Sequence, residues 1–200
     1  MSKKGRFFNR PFLYFIEESV AVMKEARNKN KRVAAAYDWM EAAVFSLIVI
    51  VVVFTFLCRI VRVDGTSMQH TLEHNDRLLL FNINYEPERG DIVVITRENE
   101  EPLIKRVIAI AGDTVSIDEA ANQVYVNGKA LKEDYIKGVT VSRDFVGEQT
   151  VPEGCLFVLG DNRTVSHDSR SESIGFVSVS DVLGEATFRI WPIGGFGTVE

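Results

Sequence analysis

Ser67 lies in the stretch DGTSMQHTLEH (64–74), on a Gly-containing turn where a hydroxyl nucleophile would be presented. A serine hydroxyl is weak at neutral pH and needs a neighbouring base. Beyond residue 60 the chain holds three histidines, His70, His74 and His167, but no Gly-x-Ser-x-Gly elbow. Spacing alone places no Ser-His-Asp triad. A lysine can act instead when burial disfavours its ammonium form and lowers its pKa. Lys105 has such surroundings, with Leu103, Ile104, Val107 and Ile108 around it in PLIKRVIAIAGD. In strand geometry it shares a face with Leu103 and Val107, while Arg106 points away. The blander reading of such a lysine is a charge guarding a sheet edge.

Two further patterns compete for attention. His70-Thr71-Leu72-Glu73-His74 matches the H-x-x-E-H of one class of zinc peptidases, which requires a helix carrying both histidines on one face. Gly65 before it and Asn75-Asp76 after it leave room for about two turns of helix, and no third ligand follows at a familiar spacing. A chance match accounts for it better, and no metal is expected. GDNRTVSHDSRSESIGF (160–176) is polar and dense in Asp/Arg pairs, Asp161 with Arg163 and Asp168 with Arg170. Taken alone these read as solvated loop charges.

The elements that must hold these residues divide the chain at one segment. Ala42 to Cys58 is a run of 17 residues without a charge. As a helix it spans roughly 26 Å, just under the bilayer's hydrocarbon core. Ile60 lengthens it if Arg59 snorkels to the interface. It starts too late, and is followed by too many arginines, for a cleaved secretory signal. Five basic residues (Lys24, Arg27, Lys29, Lys31, Arg32) precede it within 20 positions and three (Arg59, Arg62, Arg77) follow it. That bias predicts a cytoplasmic N-terminus and an extracytoplasmic C-terminal part. Residues 1–41 carry nine basic and five acidic side chains, whereas the remainder has a net charge of −9. A domain so acidic is a poor partner for nucleic acid. The expected organisation is a cytoplasmic basic leader (1–41), a transmembrane anchor (42–60) and a catalytic domain (61–200). FLYFIEESVAVMKEARNKNKR in the leader reads equally as a membrane-surface helix and as a loose topology signal. Two cysteines, Cys58 and Cys155, make no disulfide framework and are expected free.

After the span the texture is β. RLLLF (77–81), DIVVIT (91–96), LIKRVIAIA (103–111) and TVSI (114–117) are short, β-branched and bounded by turn residues. QVYVNGKAL carries Asn127-Gly128, a strong hairpin signal because both turn positions need positive φ. CLFVLGDN and ATFRIW add two more strands. The prediction is a single mainly β domain of about 140 residues, large enough to bury a core.

In their order, the anchor, VDGTSMQHTL (63–72), GDIVVI (90–95), KRVIAIAGD (105–113), GDNRTVSHDSR (160–170) and GFV (175–177) resemble the bacterial type I signal peptidases. These are membrane-bound Ser-Lys endopeptidases that remove signal peptides from exported proteins. The resemblance implies a mixed, mostly antiparallel β-domain on the outer membrane surface. It makes Ser67 the nucleophile, Lys105 the general base and Ser166 the hydroxyl that orients the lysine. Asp168 and Arg170 become a bracing pair, with Asp161 and Arg163 supporting the same loop and Met68 packed near the site. The oxyanion hole is expected to use the Ser67 N–H. The second donor of some relatives, a serine two residues earlier, is replaced here by Gly65, as in the Gram-positive branch, and Thr66 or a water stands in. Shallow apolar pockets for small side chains at −1 and −3 fall on Val61, Val63, Leu72, Leu103 and Ile104. The implied partners are signal-peptide-bearing preproteins, the lipid bilayer and the export machinery, with no cofactor. His70 departs from the family, which usually has proline there. Two rivals stand beside this reading, a self-cleaving Ser-Lys protein of the SOS-repressor type and a membrane-anchored homologue that binds peptides without cutting them.

Overall fold

The computed structural model describes residues 17–18, 31–56, 58–82, 85–97 and 101–199, in two units that meet in the chain at Phe56 and Leu57. In the first, Glu17 and Glu18 are helical and one long helix, α1, spans Lys31–Phe56. Its stretch Val33–Val52 has mean hydropathy 1.8 and buries nothing against the protein, so it is long and apolar enough to cross a membrane. The Ser46 hydroxyl donates to the Ala42 carbonyl at 2.7 Å, which satisfies it within the helix. The remainder of the leader, including most of the expected surface helix, lies outside the described residues.

The helix begins eleven residues before the expected span and ends at Phe56, so Ile60 does not extend it. Instead β1 (Cys58–Arg62) forms a five-residue antiparallel ladder with β2 (Arg77–Phe81), from Cys58 opposite Phe81 to Arg62 opposite Arg77. The β-branched pair Ile60-Val61 serves a strand as well as a helix, and a partner for every ladder position decides between them.

The second unit is all β among its described residues, apart from short 3₁₀ turns. Its further strands are β3 (Ile92–Ile95), β4 (Leu103–Ile110), β5 (Thr114–Asp118), β6 (Gln123–Val126), β7 (Lys129–Ala130), β8 (Gln149–Thr150), β9 (Cys155–Leu159), β10 (Val177–Ser178), β11 (Val182–Trp191) and β12 (Gly197–Thr198). One antiparallel sheet has the order β1-β2-β11-β3-β4-β9-β10, with β12 also on β11; the other is β7-β6-β5-β8. Asn127 and Gly128 take φ of 53° and 71° between β6 and β7, the turn their types predict. The expected ATFRIW strand starts earlier than its apolar run, at Val182. Gly184 hides that extension. It sits at a register shift between β11 and β3, and a Cβ there would lie 2.5 Å from the Phe81 carbonyl oxygen, so only glycine admits the approach.

The core falls into three clusters. One, built on Val63, Met68, Leu72, Leu78, Ile92 and Ile104, underlies the 64–74 segment. The second contains Phe145, Phe157 and the inward residues of the small sheet, and the third packs Val93, Ile95, Val107 and Leu156. Cys155 is unpaired.

Candidate active site

The turn that carries Ser67 is fixed from below. Met68 and Leu72 are fully buried, and the Leu72 N–H donates to the Met68 carbonyl at 2.8 Å. Burying each stabilises the turn by about 1.5–3 kcal/mol. Gly65, at φ 87°, reverses the chain and leaves Ser67 partly exposed beside that anchor. The Gly65 N–H is already engaged by His74 Nδ1 at 3.2 Å, whereas the Ser67 N–H makes no hydrogen bond among the described residues.

Lys105 arrives from the middle of the large sheet. It pairs with Val93 in β3 and is only 2% exposed. Its Nζ lies 2.9 Å from Ser67 Oγ and 3.0 Å from the Ile104 carbonyl. Burial pulls its pKa down to about 8, against the opposing pull of the Asp168 and Asp161 carboxylates and with a further push from Arg170. It is therefore no edge charge, because β3 and β9 flank β4 on both sides.

The 160–170 loop closes the third side. The Asn162 N–H donates to the Ser67 carbonyl at 2.9 Å, and Asn162 Nδ2 to the Thr66 carbonyl at 3.1 Å. Gly160 lies under both Ser67 and Ser166. A Cβ on it would come within 2.6 Å of the Ser67 carbonyl oxygen and 2.1 Å of Ser166 Oγ. Nothing in the sequence pattern singled out Gly160 or Asn162, although both lie in the GDNR motif. Ser166 is fully buried beside this site, with its hydroxyl against the Asp168 carboxylate rather than the lysine amine. The expected contact from that hydroxyl to the lysine amine is therefore not made.

The Asp/Arg pairs are buried rather than solvated, and they are rearranged. Asp168 and Arg170 do pair, through Nε and Nη2 at 2.8 Å each. Burial opposes the Asp168 carboxylate, but its hydrogen bonds from Arg170, that residue's charge and the Gly160 N–H hold its pKa below the usual range. Asp161 does not pair with Arg163. It accepts two hydrogen bonds from Arg106, at 3.0 and 2.8 Å, and a short one from the Thr71 hydroxyl. Arg163 turns instead to Glu133 and to the Thr140 hydroxyl. Arg106 thus points away from Lys105, as alternation requires, but into a buried ion pair. Its partner is 55 residues away, beyond the reach of local pattern.

Val61, Val63, Leu72 and Ile104 share the cluster beneath the turn, whereas Leu103 packs with Val93 and Ile95 and does not join them. The H-x-x-E-H residues do not converge. His70 is exposed, the Glu73 carboxylate accepts from Gln69 Nε2 at 2.7 Å, and His74 Nδ1 lies 3.2 Å from Asp64. The segment is a series of turns rather than a helix, and among the described residues no three His, Cys, Asp or Glu side chains are arranged to hold a metal ion.

A serine hydroxyl against a desolvated lysine amine, on a curled antiparallel sheet, is the arrangement of the Ser-Lys serine hydrolases. The family model for signal peptidase, peptidase S26, matches residues 36–191, and the chain belongs to that family. It is 34% identical over 182 residues to a signal peptidase I of Bacillus amyloliquefaciens, covering 85% of this chain and 96% of the relative. Against a probable signal peptidase I-2 of Synechocystis it is 35% identical over 179 residues, with 83% and 79% covered. The crystal structure of a signal peptidase I from Enterococcus faecalis V583 is 34% identical, covers 52% of this chain and 98% of its own, and gives a TM-score of 0.42.

Proposed function

We propose that this protein is a membrane-anchored serine endopeptidase that removes N-terminal signal peptides from exported preproteins, with Ser67 as nucleophile and Lys105 as general base. The observation that carries the dyad is the 2.9 Å contact between Ser67 Oγ and the buried Lys105 amine. In its neutral form the amine accepts the Ser67 proton as Oγ attacks the scissile carbonyl carbon. The Ser67 N–H faces the developing oxyanion, and the exposed Thr66, whose carbonyl Asn162 holds in place, supplies the second donor. The Lys105 ammonium then protonates the leaving amine, which frees the mature protein and leaves the signal peptide as an acyl ester on Ser67. Lys105, neutral again, activates the water that hydrolyses this ester.

The substrate lies extended along β1, which ends the sheet order and has one side unpaired among the described residues. Small side chains at −1 and −3 are received by Val61 and Ile104, with the buried Val63 and Leu72 packed behind them. Asp161, Arg163, Asp168 and Arg170 brace the loop that holds Ser67 and Ser166, and Met68 anchors the turn. Residues 1–41 form the cytoplasmic leader and residues 61–200 the extracytoplasmic catalytic domain, an orientation supported by the basic residues before the span. The export machinery delivers the preproteins.

The test is preprotein cleavage by the detergent-solubilised protein. Ser67→Ala should abolish cleavage without lowering the melting temperature, and Lys105→Arg should be inactive because a guanidinium keeps its proton. A Ser67→Ala protein that cleaves at the wild-type rate would overturn the mechanism, and a wild type that binds but never cleaves would favour a binding homologue.

A further inference from the structure

Residues 133–137, EDYIK, belong to no motif, yet they touch all three segments that meet at Ser67 and Lys105. Glu133 takes two hydrogen bonds from the Arg163 guanidinium of the 160–170 loop, with both side chains buried. The Tyr135 ring covers the face of Arg106, the neighbour of Lys105 in β4, with the guanidinium carbon 4.1 Å from the ring centroid. The Lys137 N–H donates to the Asp161 carbonyl at 2.8 Å, and the Lys137 carbonyl accepts from the Arg163 N–H at 2.8 Å. Lys137 Nζ reaches Gln69 Oε1, two residues past Ser67, at 3.3 Å.

The common point is Asp161. Its carboxylate joins Thr71 of the nucleophile turn to Arg106 of the base strand. Arg106 has one further contact, the Gly90 carbonyl at 2.8 Å, and the Tyr135 ring over its face closes the way out. The charged groups facing Lys105 are Asp168, Asp161 and Arg170. An Asp161 carboxylate released from Arg106 would therefore act on the lysine with less of its charge offset.

We propose that Tyr135, with Glu133 and Lys137 beside it, is a positioning strap that holds Arg106 on Asp161 and so sets both the Ser67–Lys105 separation and the charge that Lys105 meets. This rests on the Ser67/Lys105 reading. The experiment measures preprotein cleavage by the full-length protein in detergent across pH for wild type, Tyr135→Leu and Tyr135→Phe. Tyr135→Leu should lower kcat about 10-fold with KM little changed, because a small misplacement of reacting groups is costly. It should also move the acid limb of the pH–rate profile to higher pH. Tyr135→Phe keeps the ring and should restore both. Arg106→Lys keeps the charge but loses the planar fork, and it carries the same two expectations where the Leu variant does not fold. A Leu variant with wild-type kcat, a kcat loss with an unmoved acid limb, or a Phe variant as impaired as Leu would each overturn the strap alone. A wild type without turnover would overturn the dyad reading and the strap with it.

Discussion

Gly160 has no room for a side chain between Ser67 and Ser166. Its φ lies outside the left-handed region, so its requirement is space and not backbone freedom. An alanine methyl would press on the Ser67 carbonyl oxygen at 2.6 Å, and a backbone oxygen cannot rotate aside as a side chain can. The nucleophile turn would have to move as a body. Gly160→Ala should therefore lower kcat by about 100-fold, the cost of misplacing a reacting group by an ångström. It should lower stability by about 1–3 kcal/mol, typical of an overpacked core. Cleavage assays and thermal melts on the same preparation check both. Ser166 sits against the same glycine, with its buried hydroxyl beside the Asp168 carboxylate. Its nearness to Ser67 comes through Gly160 and not through a bond to Lys105.

Three elements meet at the dyad: the 64–74 turn, β4 and the 160–170 loop. Asp161 couples the first two through the Thr71 hydroxyl. Thr71→Val keeps the volume but removes that donor, while Arg106 still satisfies the carboxylate. The fold should survive, with stability down by about 1 kcal/mol for one lost hydrogen bond, and kcat should fall. A melt and a kcat/KM measurement distinguish a loosened turn from a lost fold. Much of this level could be read from the sequence. Asn127-Gly128 announced its hairpin, the apolar runs marked β2, β3 and β4, and the ordered motifs pointed to Ser67 and Lys105, which the fold brings to 2.9 Å. What stayed hidden depends on distance along the chain or on special geometry. Arg106 and Arg163 choose partners 55 and 30 residues away, and no local pattern favours Asp161 over Glu133 for either. Gly184 looks like a break but sits inside β11. The EDYIK segment has no periodicity to betray what it touches.

For the whole molecule, the chain divides into a basic leader with a net charge of +4, an apolar helix and an acidic remainder. The proposed orientation predicts that protease added outside spheroplasts digests the β-domain and spares the leader, followed with antibodies to each end. A protected β-domain in intact spheroplasts would reverse the orientation. The same full-length protein in detergent gives the most direct test of the dyad, the pH dependence of kcat/KM for preprotein cleavage. Burial holds Lys105 at about 8, and as the proposed base it would act only when neutral, so the active form is expected to be lost as pH falls through that value. At pH 7 roughly a tenth of the molecules carry the free amine, and the rate should rise about 10-fold per pH unit below that point. The expected profile climbs with pH as a single ionisation and levels off above an apparent pKa near 8. A profile flat from about pH 6 to 9 would contradict a lysine base beside Ser67.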